Sequence, residues 1–85
     1  MRNFEYTIND PLGIHARPAG QIVTEAKKFS STITIKADSK QANASKLIAV
    51  MSLGVKTGQT VIVEAEGEDE EAAIESMKQF FEANL

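Results

Sequence analysis

One histidine stands among residues that together could support phosphoryl chemistry. His15 follows a loop that ends at Gly13 and precedes a predicted helix with Pro18 in its first turn, a position where a missing N–H costs no hydrogen bond. The amides of Ala16 and Arg17 are then unpaired at a helix N-terminus, where they and the helix dipole attract an anion. The Arg17 guanidinium also matches the geometry of a phosphate. These groups predict a compact site for a transient phosphohistidine.

The same residues allow a plainer interpretation. In it, His15 is a surface residue that caps the helix by accident, because short motifs often match by chance. The local chemistry alone does not favour one interpretation over the other.

The composition excludes several other kinds of chemistry. The chain has 85 residues and 0 cysteines, which removes disulfides, thiolate zinc sites and cysteine nucleophiles. With 1 histidine and no clustered carboxylates at ligand spacing, neither a metal nor a cofactor site is predicted. A net charge of -3 without interleaved aromatic and basic residues argues against nucleic acid as a partner.

The length and the hydropathy pattern set the domain organisation and the expected location. A chain of 85 residues allows one domain, spanning residues 1–85. No stretch reaches the roughly 18 apolar residues of a membrane span, and the N-terminal residues lack the apolar centre of a signal peptide. We therefore expect a cytoplasmic protein that does not bind membranes.

The apolar pattern predicts secondary structure in the order βαββαβα. Alternating apolar and polar residues predict strands at 4–9, 32–37, 40–43 and 61–66. A helical period predicts helices at 16–29, around 47–51 and after residue 69. Alternation in the longer strands indicates a sheet with one face exposed to water. The predicted fold is an α+β, two-layer open-faced β-sandwich: a four-stranded antiparallel sheet with three helices on one face.

Polar residues before the second and third helices are candidate caps. Asn43 and Ser45 could each cap the short second helix, and Asp69 could cap the last one. The acidic run from Glu66 to Glu71 could also bind calcium or a basic partner. Its position favours a helix start that complements the dipole.

Gly13–Ala19, Met51–Gly58 and Ala65–Glu70 resemble segments of the HPr family, the histidine-containing phosphocarriers of the bacterial sugar phosphotransferase system. Gly13–Ala19 resembles the active-site signature of that family, and it is the most specific of the three. Met51–Gly58 is similar to the segment after the family's short helix, and Ala65–Glu70 to the approach to its last helix. The resemblance spans essentially the whole chain, and it argues strongly against the accidental cap.

The resemblance implies a phosphoryl carrier rather than an enzyme that turns over a small substrate. His15 would accept a phosphoryl group on Nδ1 from enzyme I, itself phosphorylated by phosphoenolpyruvate, and pass it to IIA domains of sugar permeases. Arg17 would pair with the phosphate.

The resemblance also implies a docking surface beside the histidine. Leu47, Ile48 and Met51 lie at helical spacing, so they are either core residues or, as in the family, partly exposed to partner proteins. The first helix contributes further candidates to this surface: Gly20, Thr24 and Lys27. At Gly20 a small residue indicates either close approach by a neighbour or tight packing.

The chain departs from the family at two places. Ser39 stands in the turn between the second and third strands, where a glycine is common. Ser45 precedes Lys46, whereas the family usually has lysine first and then a serine that is phosphorylated in many low-GC Gram-positive bacteria. The reversed order argues against Ser45 as a regulatory site. It also argues against a serine kinase, a phosphorylase and a catabolite-control regulator as partners.

Two other functions are compatible with parts of the sequence. One is a regulatory binding paralogue that acts through protein–protein contacts, although the presence of His15 argues against it. The other is an unrelated metabolite-binding α+β domain, which only the fold outline supports. Phosphorylation by enzyme I would separate the carrier from both.

Overall fold

The computed structural model describes residues 1–85 and has the predicted order of elements. The strands are β1 (Arg2–Thr7), β2 (Thr32–Ala37), β3 (Lys40–Asn43) and β4 (Thr60–Glu66). The helices are α1 (Ala16–Ala26), α2 (Leu47–Ser52) and α3 (Glu70–Asn84). None of these helices is long and apolar enough to cross a membrane.

The four strands form one antiparallel sheet in the order β1-β4-β2-β3. Val63 at its centre pairs with Phe4 on one side and Ile35 on the other. Burial alternates along β2 and β4, so that one face packs under the helices and the other remains open. The predicted open-faced α+β sandwich is confirmed.

Aromatic side chains join α3 to the sheet. Phe81 is fully buried, and its ring meets those of Phe4 and Tyr6 edge-on at centroid distances of 5.7 and 5.8 Å. Phe80 contacts it in the same manner. This geometry suits the ring quadrupoles and fixes the C-terminal half of α3 over β1.

Helix α1 ends earlier than its sequence predicts. The apolar period extends to Phe29, but the helix stops at Ala26 with Lys27 as its C-cap. The Lys28 and Phe29 amides donate to carbonyls three residues back, which tightens the last turn. Phe29 still packs against the core from this turn. The apolar spacing therefore predicts correctly that Phe29 packs on the core, but it predicts wrongly that Phe29 is helical.

Of the three predicted caps, Asn43 and Ser45 are wrong, and Asp69 occupies its predicted position. The N-cap of α2 is Lys46, and neither Asn43 nor Ser45 caps that helix. Instead the Asn43 Oδ1 accepts hydrogen bonds from the Ser45 amide (2.9 Å) and hydroxyl (2.7 Å), which is the local turn that asparagine favours. Asp69 does occupy the N-cap of α3, but its side chain bonds to another loop rather than to its own helix.

The turn between β2 and β3 accommodates the missing glycine. Asp38 takes a positive φ of 54° there, whereas Ser39 does not. Aspartate tolerates the left-handed region better than most residues. Only one of the two turn residues therefore needs that conformation, and Ser39 is not strained.

Candidate functional site

The loop before α1 fixes the position of His15. Gly13 has a φ of 68°, and a Cβ at this position would lie 2.2 Å from the Val55 carbonyl oxygen. Both features require glycine. The amide of the buried Ile14 donates to the same carbonyl oxygen at 3.0 Å. The loop is thus attached to the segment after α2, and His15 follows it directly.

His15 is the N-cap residue of α1, with an extended backbone. Its ring makes no capping hydrogen bond, so the imidazole is not engaged by the helix that it precedes. The first helical bond runs from the Ala19 amide to the His15 carbonyl. The Ala16 and Arg17 amides have no acceptor within the chain, as expected for a first turn. They are available to an anion bound beside the imidazole.

The imidazole lies at a small polar cleft of about 280 Å³. Its side chain is 35% exposed, and its Nε2 lies 3.8 Å from Asp10 Oδ2. The residues lining the cleft are Asp10, His15, Arg17, Pro18, Gln21 and Asn84. The cleft therefore places one guanidinium, one carboxylate and two side-chain amides around the ring.

Three residues of this cleft escaped the sequence analysis: Asp10, Gln21 and Asn84. Gln21 occurs on the polar side of α1, where most residues are simply solvated. Asn84 reaches the cleft only because α3 ends there, which is a tertiary effect that no local pattern reports. Asp10 had one usable signal, since a carboxylate five residues before the only histidine could be held near it by a turn.

The three apolar residues of α2 are partly exposed, while Val50 between them is fully buried. Ile48 is 75% exposed, Leu47 42% and Met51 40%. Val50 holds this short helix to the core, with Ala49 packed beside it, and the three exposed residues form an apolar surface. The reading of all three as core residues is wrong.

The candidate docking residues on α1 fall into two groups. Gly20 and Thr24 line a groove of about 440 Å³ that also includes Arg17 and, from α3, Phe80. Lys27 lines a larger cleft of about 640 Å³ beside α2. Leu47, Ile48, Ser45 and Lys46 line this cleft as well.

Gly20 is not packed against anything. A Cβ built there would have no atom within 4 Å, and the Gly20 φ is not positive. Tight packing within the chain is therefore wrong as the reason for glycine. The position is open on the surface of α1, one turn after the histidine end of the helix.

Comparison with known proteins gives a consistent result. Residues 2–83 match the family model described as the PTS HPr component phosphorylation site. The phosphocarrier protein HPr of Mycoplasma capricolum is 44% identical over 79 residues, covering 93% of this chain and 89% of the relative. A crystal structure of HPr from Thermoanaerobacter tengcongensis is 42% identical with a TM-score of 0.93, covering 98% and 93% of the two chains.

A regulatory relative also has this fold. The crystal structure of Crh, the catabolite repression containing protein of Bacillus subtilis, is 34% identical with a TM-score of 0.78. It covers 100% of this chain and 98% of its own, and it is described as a domain-swapped dimer. Both the identities and the extent of the family match point the same way, and this chain belongs to the HPr family of phosphocarrier proteins.

Proposed function

We propose that this protein carries a phosphoryl group on His15, taken from phosphorylated enzyme I and passed to IIA domains of sugar permeases. The observation that carries the proposal is the placement of the imidazole at the start of α1, next to two unpaired amides and Arg17. A protein of this kind is a covalent carrier rather than an independent catalyst. Its place of action would be the cytoplasm.

Each group at the cleft has a distinct task in this function. The His15 Nδ1 supplies the lone pair that bonds to phosphorus. The Ala16 and Arg17 amides and the positive end of α1 stabilise the phosphoryl oxygens. The Arg17 side chain adds charge-assisted hydrogen bonds to the same oxygens. No metal or cofactor takes part in the proposal.

Partner proteins would dock on the exposed surface around the histidine. The apolar face of α2 supplies Leu47, Ile48 and Met51, and methionine suits a surface that accepts several partners. Gly20, Thr24 and Lys27 would extend this surface along α1. The open space at Gly20 would let a partner's backbone or side chain approach closely. Docking would set donor and acceptor in line with the imidazole and so supply most of the rate.

Regulation through Ser45 forms no part of the proposal. The Ser45 hydroxyl donates to Asn43 and lies before the N-cap of α2. A serine kinase, its phosphorylase and a catabolite-control regulator are therefore not proposed as partners.

Phosphorylation with phosphoenolpyruvate and enzyme I tests the proposal. The unaltered protein should gain one phosphate that is labile in acid and stable in base, and the phosphate should pass on to an added IIA domain. His15→Ala protein is the matched control and should gain none. Absence of phosphate on the unaltered protein would favour the alternative, a regulatory paralogue that acts by contacts alone, as the likeness to Crh suggests.

A further inference from the structure

Three hydrogen bonds hold Asp10 in place, one through its carboxylate and two through its backbone. Its Oδ1 accepts from the Leu12 amide at 2.9 Å, and its backbone carbonyl accepts from the Gly13 amide at 2.9 Å. Its own amide donates to the Leu85 carbonyl at the end of α3, also at 2.9 Å. One carboxylate oxygen, Oδ2, is left outside this network, and it is the atom that lies 3.8 Å from His15 Nε2.

This geometry distinguishes the two nitrogens of the imidazole. A neutral imidazole carries its proton on one nitrogen and a lone pair on the other, and a nearby carboxylate favours the proton on the nitrogen that faces it. Asp10 lies beside Nε2, and Nδ1 has no partner within the chain. The lone pair is thereby directed to Nδ1.

We propose that Asp10 is a positioning residue: it keeps the proton of His15 on Nε2, and it balances the charge that the ring gains when Nδ1 is phosphorylated. The first part concerns the unmodified protein alone. The second part rests on the proposed function. Asp10 touches neither phosphorus nor the partner in this role and acts only through the ring.

The charge balance of the transfer step gives the carboxylate its effect. The Nδ1 lone pair forms the bond to phosphorus, while the bond from phosphorus to the donor breaks and its electron pair stays with the donor. The ring keeps its Nε2 proton and gains one positive charge. When an acceptor attacks phosphorus, the electrons of the N–P bond return to Nδ1 and the ring is neutral again. A fixed carboxylate attracts the charged ring more strongly than the neutral one, so it stabilises the transition state relative to the unmodified protein.

The other groups at the cleft cannot replace Asp10. Arg17 is the second charged residue there, and its positive charge suits the phosphoryl oxygens rather than the ring. Gln21 from α1 and Asn84 from α3 are uncharged. Asp10 is the single acidic residue among those that line the cleft.

The test compares Asp10→Asn with Glu68→Gln. The Asp10→Asn side chain retains an oxygen for the Leu12 amide but removes the charge. Glu68→Gln removes the same charge from an exposed residue just before α3. This helix has 15 residues and is about 22 Å long, and its other end lies at the cleft, so Glu68 is far from His15. Nitrogen-15 spectra of the neutral histidine ring measure the fraction protonated on Nε2. The rate of His15 phosphorylation is measured with two donors. Phosphoramidate is a small donor that needs no docking, whereas enzyme I must dock on the protein.

We expect Asp10→Asn to lower the Nε2-protonated fraction and to slow phosphorylation by both donors about fivefold, the factor that a unit charge at this distance gives in water. Glu68→Gln should change neither quantity. An unchanged tautomer and rate in Asp10→Asn would overturn the inference. Asp10→Ala removes both the charge and the acceptor for the Leu12 amide. Slow phosphorylation in Asp10→Ala but not in Asp10→Asn would also overturn the inference, because loss of the loop anchor would then explain the slower rate. Phosphorylation by phosphoramidate without any by enzyme I would instead contradict the proposed function and leave the role of Asp10 standing.

Discussion

At the scale of the residue, His15 supplies the proposed nucleophile without supporting the core. Its side chain is 35% exposed and makes no hydrogen bond within the fold. We therefore expect His15→Ala to lose all phosphoryl uptake while its far-UV circular dichroism and melting temperature match those of the parent. Enzyme I and phosphoenolpyruvate, followed by mass spectrometry, check the first point. Phosphate retained on the variant, or a collapsed melting transition, would contradict the assignment.

Arg17 should assist the transfer without being indispensable. The Ala16 and Arg17 backbone amides remain when the guanidinium is removed, so Arg17→Ala should be phosphorylated slowly rather than not at all. Loss of one charge-assisted partner costs about 1.5–3 kcal/mol, which is roughly a tenfold to hundredfold reduction in rate. Rapid-quench kinetics with enzyme I and with a IIA domain measure it. Lys40→Ala, an equal charge change on β3, serves as the control, and equal rates for the two variants would rule out the role of Arg17.

At the scale of the element, one side chain joins the start of α3 to the loop after α1. Asp69 accepts from the amides of Ser30 and Ser31 at 2.9 Å each, and the Ser31 hydroxyl donates to it as well. The hydroxyl, followed by these amides, holds the pKa of Asp69 below its ordinary value. The cap predicted for α3 therefore acts between elements rather than within one.

The lowered pKa of Asp69 makes part of the stability depend on pH. A carboxyl group that binds its proton more weakly in the folded chain stabilises it fully above its ordinary value, and this contribution is lost as the pH falls through the lower, folded value. Urea midpoints measured at pH 7 and at pH values below about 4 should thus differ less for Asp69→Asn than for the parent. Glu68→Gln is the control and should follow the parent. Parallel pH profiles for all three proteins would show that the Asp69 contacts contribute nothing.

The start of α2 should resist the family's serine kinase. The Ser45 hydroxyl is bonded to Asn43, and Lys46 occupies the N-cap where the family usually has its serine. The backbone of Lys46 is extended, so moving a hydroxyl by one residue turns it to the opposite side of the chain. We expect little phosphate on Ser45 after incubation with kinase and ATP, and restored phosphorylation in the double variant Ser45→Lys, Lys46→Ser. Mass spectrometry decides it, and rapid stoichiometric phosphate on Ser45 of the unaltered protein would disprove this expectation.

At the scale of the whole molecule, local patterns predicted the elements, while long-range contacts set the details. Alternation along β2 and β4 reflects burial on one face, so the open-faced sheet could be read directly from the sequence. The side-chain partners of Asp69 lie 38 and 39 residues away, and the proximity of Asp10 to His15 depends on a loop anchored by Leu85. Such contacts exist only once distant segments meet. For the same reason the sequence predicted His15 and Arg17 at the site but not Asn84.

The site and the core are coupled through the end of α3. Phe81 packs against Phe4, and the same helix ends with Asn84 in the cleft and with the Leu85 carbonyl that anchors Asp10. Truncating a buried phenylalanine costs about 3–5 kcal/mol, much of the stability expected of a domain this small.

We therefore expect Phe81→Ala to unfold at a much lower urea concentration than the parent, and Phe81→Leu to remain folded at an intermediate one. In Phe81→Leu the weaker attachment of α3 should also free the loop at Asp10, which faster hydrogen exchange of the Asn9 and Asp10 amides would report. Leu12→Ala, an exposed apolar residue in the same loop, is the control, since it leaves both the core and the Leu85 contact in place. Unchanged exchange at both amides in a destabilised Phe81→Leu protein would show that the loop is held independently of α3.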